Sequence, residues 1–387
     1  MKKTLIAFAA LSAIAGAAQA QSTVTLYGLI DTNIGSFKGN VADGAAITSR
    51  TQTKIDTGAL NGSRWGMRVR EDLGGGLAAV ANLESGFSSD DGASSQGRLF
   101  GRRANVGVTG GFGTVVIGRN TSSYDDVAAD HAMMGQTIFD PSNTNNGINP
   151  SVLSGALTAG SAANLLNRNT TWVGYQSRFN NSLKYSSPNF GGFSGSVMYS
   201  FGEDKGANID ASKSISANLK FANGPLVVSG GYQSEQPGST TGVAIANPNT
   251  ATLKPALRNT LLSVSYDLGV AKIGAGFNRA KFEDTTASAG LGGGAVGSQK
   301  EVNLSVAVPL GAATISAGFA RATGDTLGKS TGAGIQGLYS LSKRTTLYAG
   351  VLSTKSYDRV ATRAALAFPG SSIGRVQTAA VGVRHTF

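Results

Sequence analysis

The chain has 387 residues, a formal net charge of +11 and no cysteine, which excludes disulfide staples, zinc–thiolate centres and a cysteine nucleophile. Its Lys and Arg are dispersed and attach to no recognisable module, which argues against a nucleic-acid partner. With 54 glycines, 9 prolines and 14% charged residues, the composition fits an ordinary soluble enzyme poorly.

Met1, Lys2 and Lys3 open a short positive region before the apolar run Leu5 to Ala17, and Ala18-Gln19-Ala20 follows as a cleavage pattern. Residues 1–20 are therefore expected to be a signal peptide, removed on export. Beyond them the apolar residues alternate. Val24, Leu26, Gly28, Ile30 and Ile34 share a face opposite Tyr27, Asp31 and Asn33. Leu77, Ala79, Ala81, Leu83 and Phe87 repeat the pattern, as do Val302, Leu304, Val306 and Val308, then Ile315, Ala317 and Phe319. Period-two alternation predicts half-apolar antiparallel strands.

The connections take turns. DLGGG (72–76), GGFG (110–113), PNFGG (188–192), NGP (223–225), DLG (267–269), PLG (309–311) and LSKR (341–344) are short and rich in turn formers. Between them lie long polar stretches near 36–60, 88–97, 120–168, 202–211, 235–257, 283–299, 324–331 and 355–374. Seven short turns and eight long loops join sixteen strands, and that segregation of loop lengths predicts a transmembrane β-barrel. The final segment alternates Ala379, Val381, Val383, His385 and Phe387 against Ala380, Gly382, Arg384 and Thr386. An open edge cannot sit in lipid, so residues 375–387 are expected to pair with residues 23–35.

The stretches VTLYGLID, GSRWGMRVREDLGGGL, ANLESGF, GRRANVGV, FGTVVIGRN, RFNNSLKYSSPNFGGFSG and VGVRHTF resemble the trimeric Gram-negative porins, particularly the proteobacterial and neisserial branch, over essentially all of residues 21–387. The resemblance implies a single all-β, 16-stranded antiparallel barrel in the outer membrane, with a long third loop (about 120–168) folded into the lumen. It also implies a homotrimer among outer-membrane lipid and lipopolysaccharide. Phe387 would be the sorting residue read by the outer-membrane assembly machinery.

Site residues come from both sources. In GSRWGMRVR, Trp65, Met67 and Val69 take one face, which leaves Arg64, Arg68 and Arg70 on the other, facing the lumen. Like charges aligned this way gain nothing for folding unless water or anions screen them. In RFNNSLKY the same logic puts Phe179, Leu183 and Tyr185 outside, with Arg178 and Lys184 inside. Periodicity places Arg102 outward with Ala104, Val106 and Val108, whereas the resemblance makes it a lumen residue; Arg119 cannot be phased. Asp125, Asp126 and Asp130 in the third loop are the acidic candidates facing the arginines across a constriction. Asp31, Glu84 and Glu301 read as balancing charges.

Catalytic and metal readings find no support. The two histidines, His131 and His385, lack a triad arrangement, and no cluster has metal-ligand spacing. No cofactor is expected. The expected function is passive diffusion of small anionic or neutral hydrophilic solutes through an anion-preferring pore. A substrate-selective porin for small organic acids or phosphate is the alternative; a non-channel adhesin or enzyme is more distant.

Overall fold

The computed structural model describes residues 22–43, 46–143, 171–172, 174–203, 211–236, 256–283, 298–324, 328–355 and 375–387; the leader 1–20 and most of the segments 120–168, 235–257 and 355–374 lie wholly or partly outside them. Seventeen strands follow in order: β1 (Thr23–Asp43), β2 (Ala46–Thr57), β3 (Arg64–Gly74), β4 (Leu77–Gly86), β5 (Arg103–Gly110), β6 (Gly113–Thr121), β7 (Arg178–Ser186), β8 (Phe193–Phe201) and β9 (Lys213–Asn223). β10 (Leu226–Gln236), β11 (Ala256–Asp267), β12 (Lys272–Glu283), β13 (Ser298–Leu310), β14 (Ala313–Gly324), β15 (Gly328–Ser340), β16 (Thr345–Lys355) and β17 (Arg375–Thr386) complete them. No helix of the described residues is long and apolar enough to cross a membrane.

All strands join one antiparallel sheet that closes on itself. β17 pairs with β1 from Leu29↔Thr386 to Lys38↔Gln377. Beyond that ladder, Phe387 and Gly28 exchange backbone hydrogen bonds of 3.0 Å each. Closure leaves no unpaired edge, as a wall in lipid requires.

The long loop expected at 36–60 is instead a hairpin. β2 pairs with Thr32–Asp43 of β1, and β3 pairs with Thr23–Leu29 of the same strand. β2 and β3 thus occupy one stave end to end, and seventeen strands build a sixteen-stave barrel. AITSRTQTKIDT is polar on both faces, so it carries no hydrophobic alternation, yet its β-branched Thr and Ile suit a pleated strand. The bend between β2 and β3 is held by fully buried Asp31. One carboxylate oxygen accepts the backbone N–H of Leu60 (2.9 Å) and Asn61 (2.7 Å), and the other accepts the Tyr348 hydroxyl. The loop expected at 324–331 also shrinks, since β14 runs to Gly324 and β15 begins at Gly328.

The seven short connections match the expected turns. Six contain glycine at positive φ, for example Gly224 at 54° and Gly269 at 80°. Side chains of Asp72, Asn189 and Asp267 accept N–H groups within their own turns. The seventh, 341–344, has no glycine and uses the Ser342 hydroxyl to accept from Arg344 and Thr345 N–H.

The two faces of the wall differ as the alternation predicts. Val24, Leu26, Leu304, Val302, Phe319 and Val381 are all more than 40% exposed, while Asp31, Asn33, Glu301 and Asn303 are at most 3% exposed. A soluble fold would bury the first set. At the short-turn end the apolar face carries exposed Phe112, Tyr185, Phe193, Tyr266 and Tyr339, the aromatic girdle of a membrane barrel.

The buried apolar residues lie on the polar face. Residues 122–143, which follow β6, pack there against distant strands in two clusters. Tyr124, Val127, Ala128, Trp172 and Tyr175 meet Leu261 and Ala320. Met134 and Phe139 meet Leu60, Tyr348 and Ala380. Glycines open the room they need. A Cβ at Gly276 would lie 2.5 Å from the His131 ring, one at Gly334 only 1.9 Å from the Phe139 carbonyl oxygen, and one at Gly350 2.6 Å from the Phe139 ring.

Candidate functional site

Register carries the polar face from strand to strand. Thr25↔Arg68 and Leu29↔Arg64 put both arginines beside the Asp31 side of β1, and Thr23↔Arg70 adds Arg70 near the short-turn end. Arg68 stacks its guanidinium on the Tyr27 ring, 4.1 Å from the centroid. The Tyr27 hydroxyl donates to Glu84 at 2.8 Å and to Asn82 at 3.1 Å.

Glu84 is the hinge of the cluster. Arg102 donates its Nε–H to Glu84 at 2.6 Å with both side chains largely buried. That contact turns Arg102 to the polar face, against its period-two phase. The reason is local. β5 begins only at Arg103, so Arg102 precedes the ladder and is not bound by its alternation. Arg103 pairs opposite Glu84 in the register, while the side-chain contact to the carboxylate is made by Arg102.

Arg178 completes a group of three. The charges of Arg102, Arg178 and Glu84 act on Arg64, and those of Arg102, Arg103, Glu84 and Asp125 act on Arg178. Among the described residues neither Arg64 nor Arg178 forms an ion pair; they bond to the Gly62 carbonyl and the Ser177 hydroxyl. Positive charge is in excess here. Arg119 pairs opposite Ala104 and, with Arg98, donates to Asn180 Oδ1 at 2.6 and 3.1 Å.

The loop acids lie against basic residues of the wall instead of facing them across a gap. Lys184 pairs with Asp126 at 2.7 Å, and Ser196 and Asn218 also donate to that carboxylate. Lys220 pairs with Asp130 at 2.9 Å. Asp125 accepts the Tyr175 hydroxyl at 2.7 Å. Burial pushes its carboxyl above the usual range, against the pull of Arg178. Lys220 escapes a reading of the sequence that looks for paired basic residues, although Ser216, Asn218 and Lys220 alternate on one face of β9.

Beyond the acids, His131 is buried between wall and loop. Its ring stacks on Trp172 at 4.9 Å and its Nδ1 lies 3.3 Å from the Ser263 hydroxyl. Burial pulls the imidazole down to about 4, so it is neutral near pH 7. Among the described residues no carboxylate orients it, so the third member of a triad is missing, and its contacts are those of a packed ring. Phe179 departs from expectation. A bulge at Asn181, φ 49°, shifts the β6–β7 register, and Phe179 is 5% exposed where Leu183 is 43% exposed. Among the described residues no group of His, Asp and Glu has metal-holding geometry.

Comparison with known proteins agrees with this architecture. The family model for Gram-negative porins matches residues 7–358. An outer membrane porin protein of Bordetella pertussis is 35% identical over 72% of this chain and 69% of its own length. Outer membrane porin protein 32 of Delftia acidovorans is 33% identical over the whole of both chains. Among solved structures, an anion-selective porin from Comamonas acidovorans superposes with a TM-score of 0.70 at 27% identity, covering 95% of this chain and 100% of that one.

Proposed function

From the premise that this chain belongs to the Gram-negative porin family and is an outer-membrane porin, not an enzyme, we propose that its polar face lines a water-filled passage for small hydrophilic solutes, with anions favoured. Residues 122–143 fold into that lumen and narrow it. Residues 1–20 are removed on export, residues 21–387 form one barrel domain, three copies associate, and Phe387 serves assembly.

The observation that carries the anion preference is the group of Arg64, Arg102 and Arg178 around one carboxylate, Glu84. Two unit charges 4 Å apart interact by about 1 kcal/mol in bulk water and about 4 kcal/mol at an effective dielectric near 20. Arginines at a narrowing therefore outweigh charges on exposed loops, which are screened beyond about 10 Å at 0.1 M salt. Arg68, Arg70 and Lys184 extend the basic lining, though Lys184 is already matched by Asp126. The anion-selective porin above fits the same reading.

The test is zero-current potential in a planar bilayer under a tenfold KCl gradient. Wild type should show the chloride-selective sign. Replacing Arg64, Arg102 and Arg178 together with glutamate should reverse it while conductance stays within about twofold. A cation-selective wild type, or an unmoved potential in the triple variant, removes the anion reading and leaves the porin assignment standing.

A further inference from the structure

Arg178 stands where its own strand holds it weakly. It is the first residue of β7, paired with Thr121 at the end of the ladder, and the register shifts between Gly118 and Asn120 of β6 before the regular pairs resume. The bulge at Asn181, φ 49°, separates it from Ser182 and Lys184. Alternation along β7 therefore does not aim this side chain.

Its hold comes from the residues just before it and from a distant strand. Gln176 donates its side-chain Nε2–H to the Arg178 carbonyl at 2.9 Å, and the Ser177 carbonyl accepts the Ser122 N–H at 2.9 Å. Gln176 is in turn gripped by β10. Its backbone N–H donates to Glu235 Oε1 at 2.9 Å, and its carbonyl accepts the Gln233 Nε2–H at 2.9 Å. Gln233 Nε2 also donates to Glu235 Oε1 at 2.6 Å, which ties the two side chains into one clamp. Both lie on the loop side of β10. A Cβ at Gly231 on that face would lie 3.1 Å from Tyr124 and Val127, whereas Tyr232 is 39% exposed on the apolar face. Gln233 is 0% and Glu235 3% exposed, so neither meets a solute. Oε1 is the oxygen that grips; Oε2 has no hydrogen-bond partner.

We propose that Glu235 and Gln233 are positioning residues for Arg178, an inference that rests on the reading of Arg178 as a charge of the narrowing. By holding both the N–H and the carbonyl of Gln176, they fix the short segment from which the Arg178 guanidinium enters the lumen. A functional side chain keeps its geometry only when the groups around it are themselves locked. Here the lock is geometric: an acceptor oxygen at position 235 and a donor amide at position 233 suffice, and the negative charge is not needed for either contact.

The experiment measures the chloride-over-potassium permeability ratio of the full-length assembled porin in planar bilayers. Glu235→Met and Gln233→Met each remove half of the clamp at nearly constant side-chain length. Either should lower the ratio by at least about threefold, toward the value of Arg178→Gln, because a guanidinium displaced from the narrowing acts through water. Glu235→Gln should keep the wild-type ratio, since its amide oxygen accepts the same two N–H groups. In the Arg178→Gln background, Glu235→Met should change nothing further. Wild-type selectivity in the methionine variants overturns the proposal, as does an equal shift without Arg178. A shift in Glu235→Gln as large as in Glu235→Met also overturns it, because charge and not position would then be acting. Gln233→Met carries the test if Glu235→Met does not assemble. A wild type without chloride preference removes the anion reading and this inference with it, whereas a selective wild type with unmoved variants removes the inference alone.

Discussion

Two sectors of the same polar face solve opposite problems. Across β3–β7 the wall presents Arg64, Arg68, Arg102 and Arg178, with donors left over and Glu84 as the carboxylate among them. Across β11–β16 it presents Asn259, Asn278, Glu301, Asn303 and Gln336, interrupted by glycines, and it is covered by residues 122–143. Tyr124 donates to Asn278, Asn278 to Glu301, and Thr137 to Gln336. The first sector concentrates positive charge around one carboxylate. The second uses mostly amides and hydroxyls, with the Glu301 carboxylate among them, and missing side chains to hold residues 122–143. Under the proposed channel, charge selection and pore width would fall to different strands, and each could be perturbed alone.

The largest expected effect breaks the covered sector. Gly276→Leu and Gly350→Leu would each drive a side chain into His131 or Phe139. Overpacking of this kind costs about 1–3 kcal/mol, and together the two should unseat the loop. Single-channel conductance should rise well above wild type while the reversal potential keeps its sign. A normal conductance would mean that the loop does not set pore width.

Acid comes next. His131 has a native value of about 4 against about 6.5 when unfolded. The unfolded or unseated state then binds more protons between those values, so stability contributed by this group is full above pH 6.5 and is lost as pH falls toward 4. The loss is about 3 kcal/mol over that window. Asp125 and Asp140, whose burial raises their carboxyls, act in the opposite sense, since their native state holds the proton more tightly. Thermal melts at pH 7 and pH 4.5 should show His131→Phe less acid-sensitive than wild type. Equal sensitivity would assign the acid response elsewhere.

Joining the two sectors is the Lys184–Asp126 pair, and Lys184→Met should cost about 1–3 kcal/mol by leaving a carboxylate short of its cation. Ser196 and Asn218 still reach Asp126, so the variant should assemble and show noisier current. A quiet channel of unchanged melting temperature would reduce the pair to decoration. Smallest is Arg68→Ala. It removes a stack on Tyr27 worth about 0.5–1 kcal/mol and should shift the reversal potential by less than any one of Arg64, Arg102 or Arg178.

Legibility followed side-chain polarity. The staves announce themselves because Val302, Leu304 and their like alternate with Glu301 and Asn303, and six turns announce themselves through glycine. The β1–β2 hairpin stays hidden because Thr51, Thr53 and Thr57 look like loop residues to a hydrophobic pattern. Gly276 and Gly350 are silent for a simpler reason. A residue without a side chain belongs to neither face in a sequence, and only a neighbour from a distant part of the chain, His131 or Phe139, gives it meaning. Arg102 shows the remaining limit, since alternation speaks only for residues inside a ladder.

The seam between β1 and β17 has a consequence in time. It sets Asp31 opposite Arg384, at the other end of the chain, so its partners have almost no chance of meeting early, and pairing of such high contact order is slow. While the chain waits, the two outermost staves expose unpaired backbone to any other strand nearby. Assembly is thus a race between joining one's own far edge and joining a stranger's; the polar hairpin β1–β2 covers the opposite edge of β1, so the edge that awaits β17 stays open until the barrel closes.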